Sequence, residues 1–382
     1  MKFVVLPAAL KAAYAAVSPA VSSNPLLPVL ENFLFTPTED GKSFIVTGSD
    51  DMITISVSLP VEEGSGLRPF LLCRQYIYEL VKSLGEWPAD VEIDDNGALT
   101  VSDMLGDFQF FCSLDVSEYP VRKTVSQVGT FEVNADVLVQ AMLSASEFTE
   151  SEGGKKVPLR PIMTNVCLDV RQDRVNVVAS DSKKMYLNVF ADVKVESEPH
   201  FVLVKPRVVK ALASMLSRGL DDTLCVGFTA KTVTFALGTS VLTSNVMEGK
   251  FPRYEAVLPK TNNRIAVVDI ALLEAAVDRV HYSTDYTNGI KITFDGASHL
   301  TIEANDVEFS RSAKVTIDTV SQTNMPKVSY GMAYDRLLTV LSAFKNQKNV
   351  TFLCGDEHRA MLLKEDPTGD LTTLLMPMQI LW

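Results

Sequence analysis

The chain has 382 residues, 47% of them hydrophobic and 21% charged, so it carries ample apolar surface for a core and is neither disordered nor fibrous in composition. A net charge of −12 argues, for the molecule as a whole, against a polyanionic partner, and no stretch reaches the roughly 18 apolar residues of a membrane helix. The five cysteines (Cys73, Cys112, Cys167, Cys225, Cys354) are scattered without a CxxC pair and read as buried thiols in a reducing, cytoplasmic compartment.

The first residues, MKFVVLPAALKAAYAAVSPA, imitate a secretory signal, but Pro7 and Lys11 interrupt the apolar run. They read instead as a strand followed by a helix. Pro25-Leu26-Leu27-Pro28 makes a stiff connection to strands at 31–36, 43–49 and 52–59, divided by turns at Glu39-Asp40-Gly41 and Ser49-Asp50-Asp51. A second helix is predicted over 74–84, then strands at 91–93, 99–102 and 108–114 with an Asp95-Asn96-Gly97 hairpin turn. At 130–149, TFEVNADVLVQAMLSASEFT, a short strand meets Asn134 as N-cap. The helix that follows places Val137, Leu138, Ala141, Met142 and Ala145 at the spacing of one buried face. The polar, glycine-bearing run 150–156, ESEGGKK, predicts a mobile loop. Strands follow at 165–170, 174–180 and 185–191, then a helix over 206–216 with Pro206 in its first turn. Later helices are predicted at 270–280 and 334–344.

The chain repeats itself. The strand–helix phrase of 130–149 occurs also at 2–18 and 264–283, with Phe3, Phe131 and Ile265 in one position and spacings of 128 and 134 residues. A second phrase, a β-rich run, a break and a helix, occurs at 70–85, 201–219 and 328–345. Glu118-Tyr119-Pro120 and Lys250-Phe251-Pro252 close two of the copies. A period near 130 is domain-sized, too long for a solenoid unit. The predicted class is α+β: three repeated domains, at 1–127, 128–258 and 259–382, each with two helices backed by antiparallel sheet.

The second phrase is basic in every copy. Arg68, Arg74 and Lys82 stand against Glu79; Lys205, Arg207, Lys210 and Arg218 have no acid between them; Arg336, Lys345 and Lys348 stand against Asp335. Ten cations and two acids leave these stretches at +8 in a chain of −12, which predicts one basic face on an acidic body. A polyanion suits such a face, and with no base-reading motif the contact would be to phosphates, independent of sequence.

Signs of catalysis are absent. The four histidines (His200, His281, His299, His358) lack metal-ligand spacing, and there is no GxSxG, P-loop or GxGxxG. Asp50-Asp51 and Asp94-Asp95 read as turn acids. Ala179-Ser180-Asp181-Ser182-Lys183-Lys184 reads as a strand-end turn, since adjacency alone does not align a base with a serine. No cofactor is expected. An enzyme on a triplicated scaffold is the competing reading, and it lacks a visible nucleophile–base set.

Four segments carry a resemblance: Leu27-Pro28-Val29-Leu30-Glu31-Asn32; Ala179-Ser180-Asp181; Lys250-Phe251-Pro252-Arg253-Tyr254 through Val257-Leu258-Pro259-Lys260; and Leu375-Met376-Pro377-Met378. Over its whole length the chain resembles the bacterial sliding clamp family, the β subunit of the replicative DNA polymerase. The resemblance implies a head-to-tail homodimer whose six domains close a ring, basic and helical inside, around double-stranded DNA. Trimeric clamps carry two modules per chain, so three modules argue for two chains per ring.

It implies partners too: the replicative polymerase, a clamp loader and repair proteins, each inserting a short hydrophobic peptide into a pocket. The matching pocket positions are Arg160, Ile162, Met163, Ser180, Ser182, Lys183, Lys184, Met185, Pro252, Val257, Leu374, Met376, Pro377 and Met378. Methionines suit a groove that accepts varied peptides. Asn24, Arg74, Lys205, Arg207 and Lys210 would face DNA, and Phe111, His281 and Tyr282 would form the dimer seam. The chain departs from the family in two places. Many clamps have Gly-His-Arg-Leu where Ser182-Lys183-Lys184-Met185 stands. Many also end soon after Met-Pro-Met, whereas Gln379 and Ile380-Leu381-Trp382 extend this tail and would bring Trp382 over part of the groove.

Overall fold

The computed structural model describes every residue except 23, 121, 123–126, 152–157, 159, 192, 196, 217–222 and 381, so most of the 150–156 loop and Arg218 lie outside the described residues. The first copy runs β1 (Lys2–Val5), α1 (Pro7–Val17), β2 (Asn32–Pro37), β3 (Ser43–Ser49), β4 (Ile53–Pro60), β5 (Glu62–Ser65), β6 (Phe70–Cys73), α2 (Arg74–Ser83), β7 (Ala89–Ile93), β8 (Ala98–Asp103) and β9 (Gly106–Phe111). The second runs β10 (Gly129–Asn134), α3 (Ala135–Ser146), β11 (Val166–Val170), β12 (Arg174–Ser180), β13 (Lys184–Ala191), β14 (His200–Val204), α4 (Pro206–Leu216), β15 (Thr223–Phe228), β16 (Thr232–Leu237) and β17 (Ser240–Asn245). The third runs β18 (Arg264–Asp269), α5 (Ile270–Val280), β19 (Gly289–Phe294), β20 (His299–Asp306), β21 (Arg311–Asp318), β22 (Ser321–Thr323), β23 (Val328–Ala333), α6 (Tyr334–Ser342), β24 (Asn349–Cys354), β25 (Met361–Lys364) and β26 (Leu371–Leu375). Strand β5 was not expected: its four residues are exposed, so it carries no inside–outside alternation to read.

Helix starts follow local chemistry. Asn134 Oδ1 accepts the Val137 N–H at 3.0 Å, and Asp269 Oδ1 accepts the Leu272 N–H at 3.0 Å. The first copy has no side-chain cap at Leu6 but puts Pro7 at the first helical position, where its missing N–H costs nothing. These caps, at 6, 134 and 269, correct the repeat register by one residue in the third copy. Ala266, buried, and not Ile265 stands where Phe3 and Phe131 do, so the second spacing is 135. A one-residue slip in a strand moves its side chains to the other face. Val137 also departs from expectation. It is 54% exposed, because the buried stripe of α3 is centred on Leu138, Met142 and Ala145 and leaves Val137 on its flank.

The chain packs as two compact units, Met1–Gln140 with Lys194–Glu198 and Arg207–Glu248, and Ala141–Val193 with Pro199–Pro206 and Gly249–Trp382. The first unit holds an eight-stranded sheet, β10-β15-β16-β17-β4-β3-β2-β6, and a five-stranded one, β5-β1-β7-β8-β9. The second holds a nine-stranded sheet, β14-β11-β12-β13-β26-β25-β24-β18-β22, and a four-stranded one, β21-β20-β19-β23.

Both large sheets are built across copies by one rule. In the first unit β17, the last strand of the second copy, pairs antiparallel with β4, the fourth strand of the first, with Leu242 opposite Ile55. In the second unit β26, the last strand of the third copy, pairs antiparallel with β13, the fourth strand of the second, with Leu374 opposite Met185. The ladder satisfies backbone groups that a separate domain would leave at an open edge.

Aromatic side chains fill the first unit's core. Phe44 is fully buried between Phe3 and Phe70, with ring centroids 5.0 and 5.6 Å away, and Phe70 stacks on Phe35 at 4.6 Å. Gly48 lets the end of α1 come close: a Cβ there would lie 2.9 Å from Val21 Cγ2 and would also run into Val17 Cγ1. Among the described residues no helix is long and apolar enough to cross a membrane. We predict that Phe44→Ala lowers the unfolding free energy of this unit by about 3–5 kcal/mol. Chemical denaturation followed by far-UV circular dichroism measures it, and a loss below about 1 kcal/mol would show that the aromatic cluster is not the core of the unit.

Candidate functional site

The second unit bears an apolar groove of about 200 Å³. Its floor comes from the paired ends of β13 and β26, which bring Met185, Leu374 and Met376 side by side. One wall is the turn at 160–164, which contributes Arg160 and Met163. The facing wall is the segment 251–257, with Phe251, Pro252, Arg253, Tyr254 and Val257. Ser180, Ser182 and Lys184 close the end.

The turn that leads into β13 is held by its own side chains. Asp181 Oδ1 accepts the N–H groups of Lys183 and Lys184, each at 2.8 Å, and Ser180 Oγ donates to Lys184 O at 2.8 Å. This puts Ser182 at φ +73°, the left-handed region where a Cβ is strained, and there its hydroxyl donates to Met163 Sδ at 3.3 Å. The backbone at this position is one that glycine adopts without strain.

Lys184 is the most constrained cation of the groove. Its side chain is 10% exposed. The ammonium donates to Glu147 O, stands 3.7 Å from Asp181 Oδ2 and lies 5.1 Å over the Phe148 ring. Burial holds its pKa below the ordinary 10.5, against the pull of Asp181, Glu147 and Asp335.

The 251–257 wall is fixed by a buried polar network. Tyr254 Oη donates to Asp169 Oδ2 at 2.5 Å and accepts from Asn176 Nδ2 at 2.7 Å. Arg171 Nη2 donates to Asp169 Oδ2 at 2.7 Å and to Glu255 Oε1 at 2.8 Å. Burial, with the donated bond to Asp169 second, pushes the Tyr254 phenol well above its ordinary value, so it stays a donor at neutral pH.

Ten of the fourteen anticipated pocket residues line the groove: Arg160, Met163, Ser180, Ser182, Lys184, Met185, Pro252, Val257, Leu374 and Met376. Four do not. Ile162 turns its side chain toward Gly249, where its Cδ1 would lie 2.9 Å from a Cβ. Lys183 is exposed, and only its carbonyl serves the site, accepting from Met376 N–H at 2.9 Å. Pro377 and Met378 have already left the groove, and Met378 N–H donates to Gly331 O at 2.9 Å. Trp382 does not cover the groove either: its ring lies under the Lys291 ammonium, 5.0 Å away. Phe251, Arg253 and Tyr254 were missed as groove residues, although all three stand in the quoted Lys250-Phe251-Pro252-Arg253-Tyr254 segment.

Of the anticipated DNA-facing residues, Asn24, Arg74, Arg207 and Lys210 lie in the first unit and Lys205 in the second. Asn24 and Arg207 line one cavity of about 510 Å³ in the first unit, with Arg122 and Leu26. Arg207 also pairs with Asp50, whose other oxygen caps the turn by accepting from Met52 and Ile53 N–H at 2.8 and 2.6 Å. Arg74 lines a second cavity of this unit beside Tyr14 and Tyr78. Lys210 is exposed on α4, and Lys205 precedes that helix in the second unit. Arg68, counted with the basic phrase, is bound to the β7–β8 turn through Asp95 at 2.9 Å. Of the anticipated seam residues, Phe111 ends the edge strand β9 and is 63% exposed. Tyr282 is 72% exposed and lies against His281 at a centroid distance of 3.9 Å. Among the described residues no cluster of metal-ligating side chains occurs.

Three strand–helix copies joined through their sheets, with a peptide-sized groove beside one junction, define the clamp class of fold. Family models for the DNA polymerase III beta subunit match the chain, the central domain at 154–253 and the C-terminal domain at 255–379. The Beta sliding clamp of Synechococcus elongatus is 26% identical over the full length of both chains, and that of Bacillus subtilis 23% identical over 99% of this chain and all of its own. The crystal structure of the DNA polymerase III subunit beta from Pseudomonas aeruginosa superposes over the whole of both chains with a TM-score of 0.89 at 22% identity. A sliding clamp from the same organism bound to griselimycin superposes equally, with a TM-score of 0.89 at 21% identity. The chain belongs to the DNA polymerase III beta subunit family, the beta sliding clamps.

Two predictions follow from the turn at Ser182 and from Lys184. Ser182→Gly relieves the left-handed strain and raises thermal stability by about 0.5–1 kcal/mol, checked by calorimetry. For Lys184 the folded pKa lies below the unfolded value of 10.5, so between the two the unfolded chain binds more protons. Stability therefore rises with pH as the pH climbs toward 10.5, and Lys184→Met flattens that rise. Parallel denaturation series from pH 8 to 10.5 for both proteins test this, and identical slopes would refute it.

Proposed function

We propose that two copies of this chain close head to tail into a ring that encircles double-stranded DNA, with domains at 1–127, 128–258 and 259–382. One observation carries the reading. At both junctions the last strand of one copy pairs with the fourth strand of the copy before it, β17 with β4 and β26 with β13. Applied once more, the rule leaves β9, the last strand of the first copy, and β21, the fourth strand of the third. Both are edge strands of their sheets. Paired between two molecules, β9 on β21 and β21 on β9, they give a symmetric closed dimer. Exposed apolar side chains flank both edges: Leu105 and Phe111 at β9, Val307 and Phe309 at β21. His281 and Tyr282 stand in the short turn that follows α5, and both α5 and that turn pack against β21.

Such a ring holds DNA by topology, so its DNA-facing side chains need only weak phosphate contact, and Asn24, Arg74, Lys205, Arg207 and Lys210 are assigned that role. The chain is a non-catalytic processivity factor. It raises the effective concentration at the template of a replicative polymerase, a clamp loader and repair proteins, which dock through short hydrophobic peptides in the groove. The groove supports this by its apolar floor of Met185, Leu374 and Met376 under a rim carrying Arg160 and Arg253. The protein works in the cytoplasm, where its five unpaired thiols stay reduced.

Light scattering on the eluting protein is expected to give twice the chain mass of 41.9 kDa. Phe111→Asp, at an exposed site, should stay folded yet weaken the dimer at least about tenfold, since a charge is then buried unpaired in the seam. Loaded on nicked circular DNA, the protein should remain bound until the circle is cut. Equal retention on circular and linear DNA would overturn the ring.

A further inference from the structure

The residues after β26, described at 376–380 and 382, make a structure of their own in the second unit. Met376 N–H is held by Lys183 O at 2.9 Å, at the groove. Two residues on, Met378 N–H is held by Gly331 O at 2.9 Å, on the edge strand β23. Ile380 then lies over two glycines. A Cβ at Gly289 would be 2.9 Å from Ile380 Cδ1, and a Cβ at Gly331 would run into Ile380 Cγ1 and Met378 O. The tail ends with Trp382 under the Lys291 ammonium at 5.0 Å. Lys291 and Gly331 are direct cross-strand partners, and Gly289 is two residues before Lys291, so the three share one face of the sheet. Lys291 is steadied by Glu303 at 3.2 Å. Glycines make the trough, Ile380 fills it and Lys291 caps the indole.

We propose that this trough is a parking site for the chain's own C-terminal segment, and that parking keeps the groove open. This rests on the reading of the groove as a peptide site. Met376 lines the groove, so the segment after it is tethered at the groove's mouth. Six residues reach about 20 Å when extended, enough to turn back. The segment carries Met378, Ile380, Leu381 and Trp382, the side-chain types an apolar groove takes up. A tether of this length holds it at roughly millimolar effective concentration, so an intrinsic affinity of about 0.3 mM would weaken a competing ligand about fourfold. Docked on β23, the segment cannot compete. Released, it becomes a groove ligand in cis, and the trough, through the Lys291–Trp382 contact, sets how many clamps are open to partners.

The test uses the full-length protein with Trp87→Phe, so that Trp382 is the sole tryptophan reporter. Gly331→Val is a residue type suited to a strand, and the nearest atoms its Cβ meets belong to the tail. Lys291→Ala removes the cap instead and leaves Glu303 paired with Lys314. Expected are a red-shifted, more readily quenched Trp382 emission in both variants, and a griselimycin Kd at least threefold higher than in the parent. Deleting residues 379–382 should leave griselimycin affinity within twofold of the parent and should restore it in the Gly331→Val protein. The peptide MPMQILW added in trans should displace griselimycin. Deletion that weakens binding as much as Gly331→Val would make the tail part of the binding surface and overturn the proposal, as would release of Trp382 with no change in Kd. Failure of the parent to bind griselimycin would overturn the groove reading and the latch with it.

Discussion

Backbone pairing between repeats is the constraint on which the rest of the structure depends. A half-buried antiparallel sheet leaves a row of N–H and C=O groups at each open edge, and a single copy of this unit would expose two such rows. Here β4 is covered by β17, and β13 by β26. The register of these ladders decides far more than stability. Because Leu374 is opposite Met185, the end of β26 and the start of β13 bring Met376 to the turn at Lys183, and the floor of the groove forms where two copies meet. A slip of one residue would turn Met185 and Leu374 to the other face and abolish the site.

Around that floor, polar groups do the positioning and apolar groups offer the contact. Asp181 and Ser180 hold the turn that carries Lys184, and Asp169, Asn176 and Arg171 hold Tyr254 and with it the 251–257 wall. A buried network of this kind is costly to leave half-satisfied, so it favours one placement of the loop over many. Among the side chains that line the groove, Met163, Met185, Met376 and Val257 are by contrast adaptable or small. Rigid support beneath a pliable lining fits the proposed docking of varied peptides.

Charge is distributed with the same division of labour. The chain is acidic overall, yet its basic residues are not all equally free. Arg68 and Arg207 are engaged by Asp95 and Asp50, whereas Lys210 projects from α4. A clamp that holds its track by topology tolerates this, because strong phosphate binding would impede sliding.

The repeat, the helix starts and the helix spans were determined by the sequence alone. Asn134 and Asp269 announce their helices by bonds made within three residues, and α4 and α5 span the predicted 206–216 and 270–280. The identity of most groove residues was legible too, since the Ser180–Met185 turn, Pro252 and the Leu374–Met376 end sit in the segments that carry the family resemblance. Only the tertiary structure decided that Ala266 and not Ile265 shares the register of Phe3, that Phe251, Arg253 and Tyr254 belong to the groove, and that the tail leaves it for Gly331 and Lys291. The reason is range. A cap or a helical stripe is settled within a few residues, whereas Tyr254 meets Asp169, and Trp382 meets Lys291, across 85 residues or more, and no local pattern records which distant strand a side chain will face.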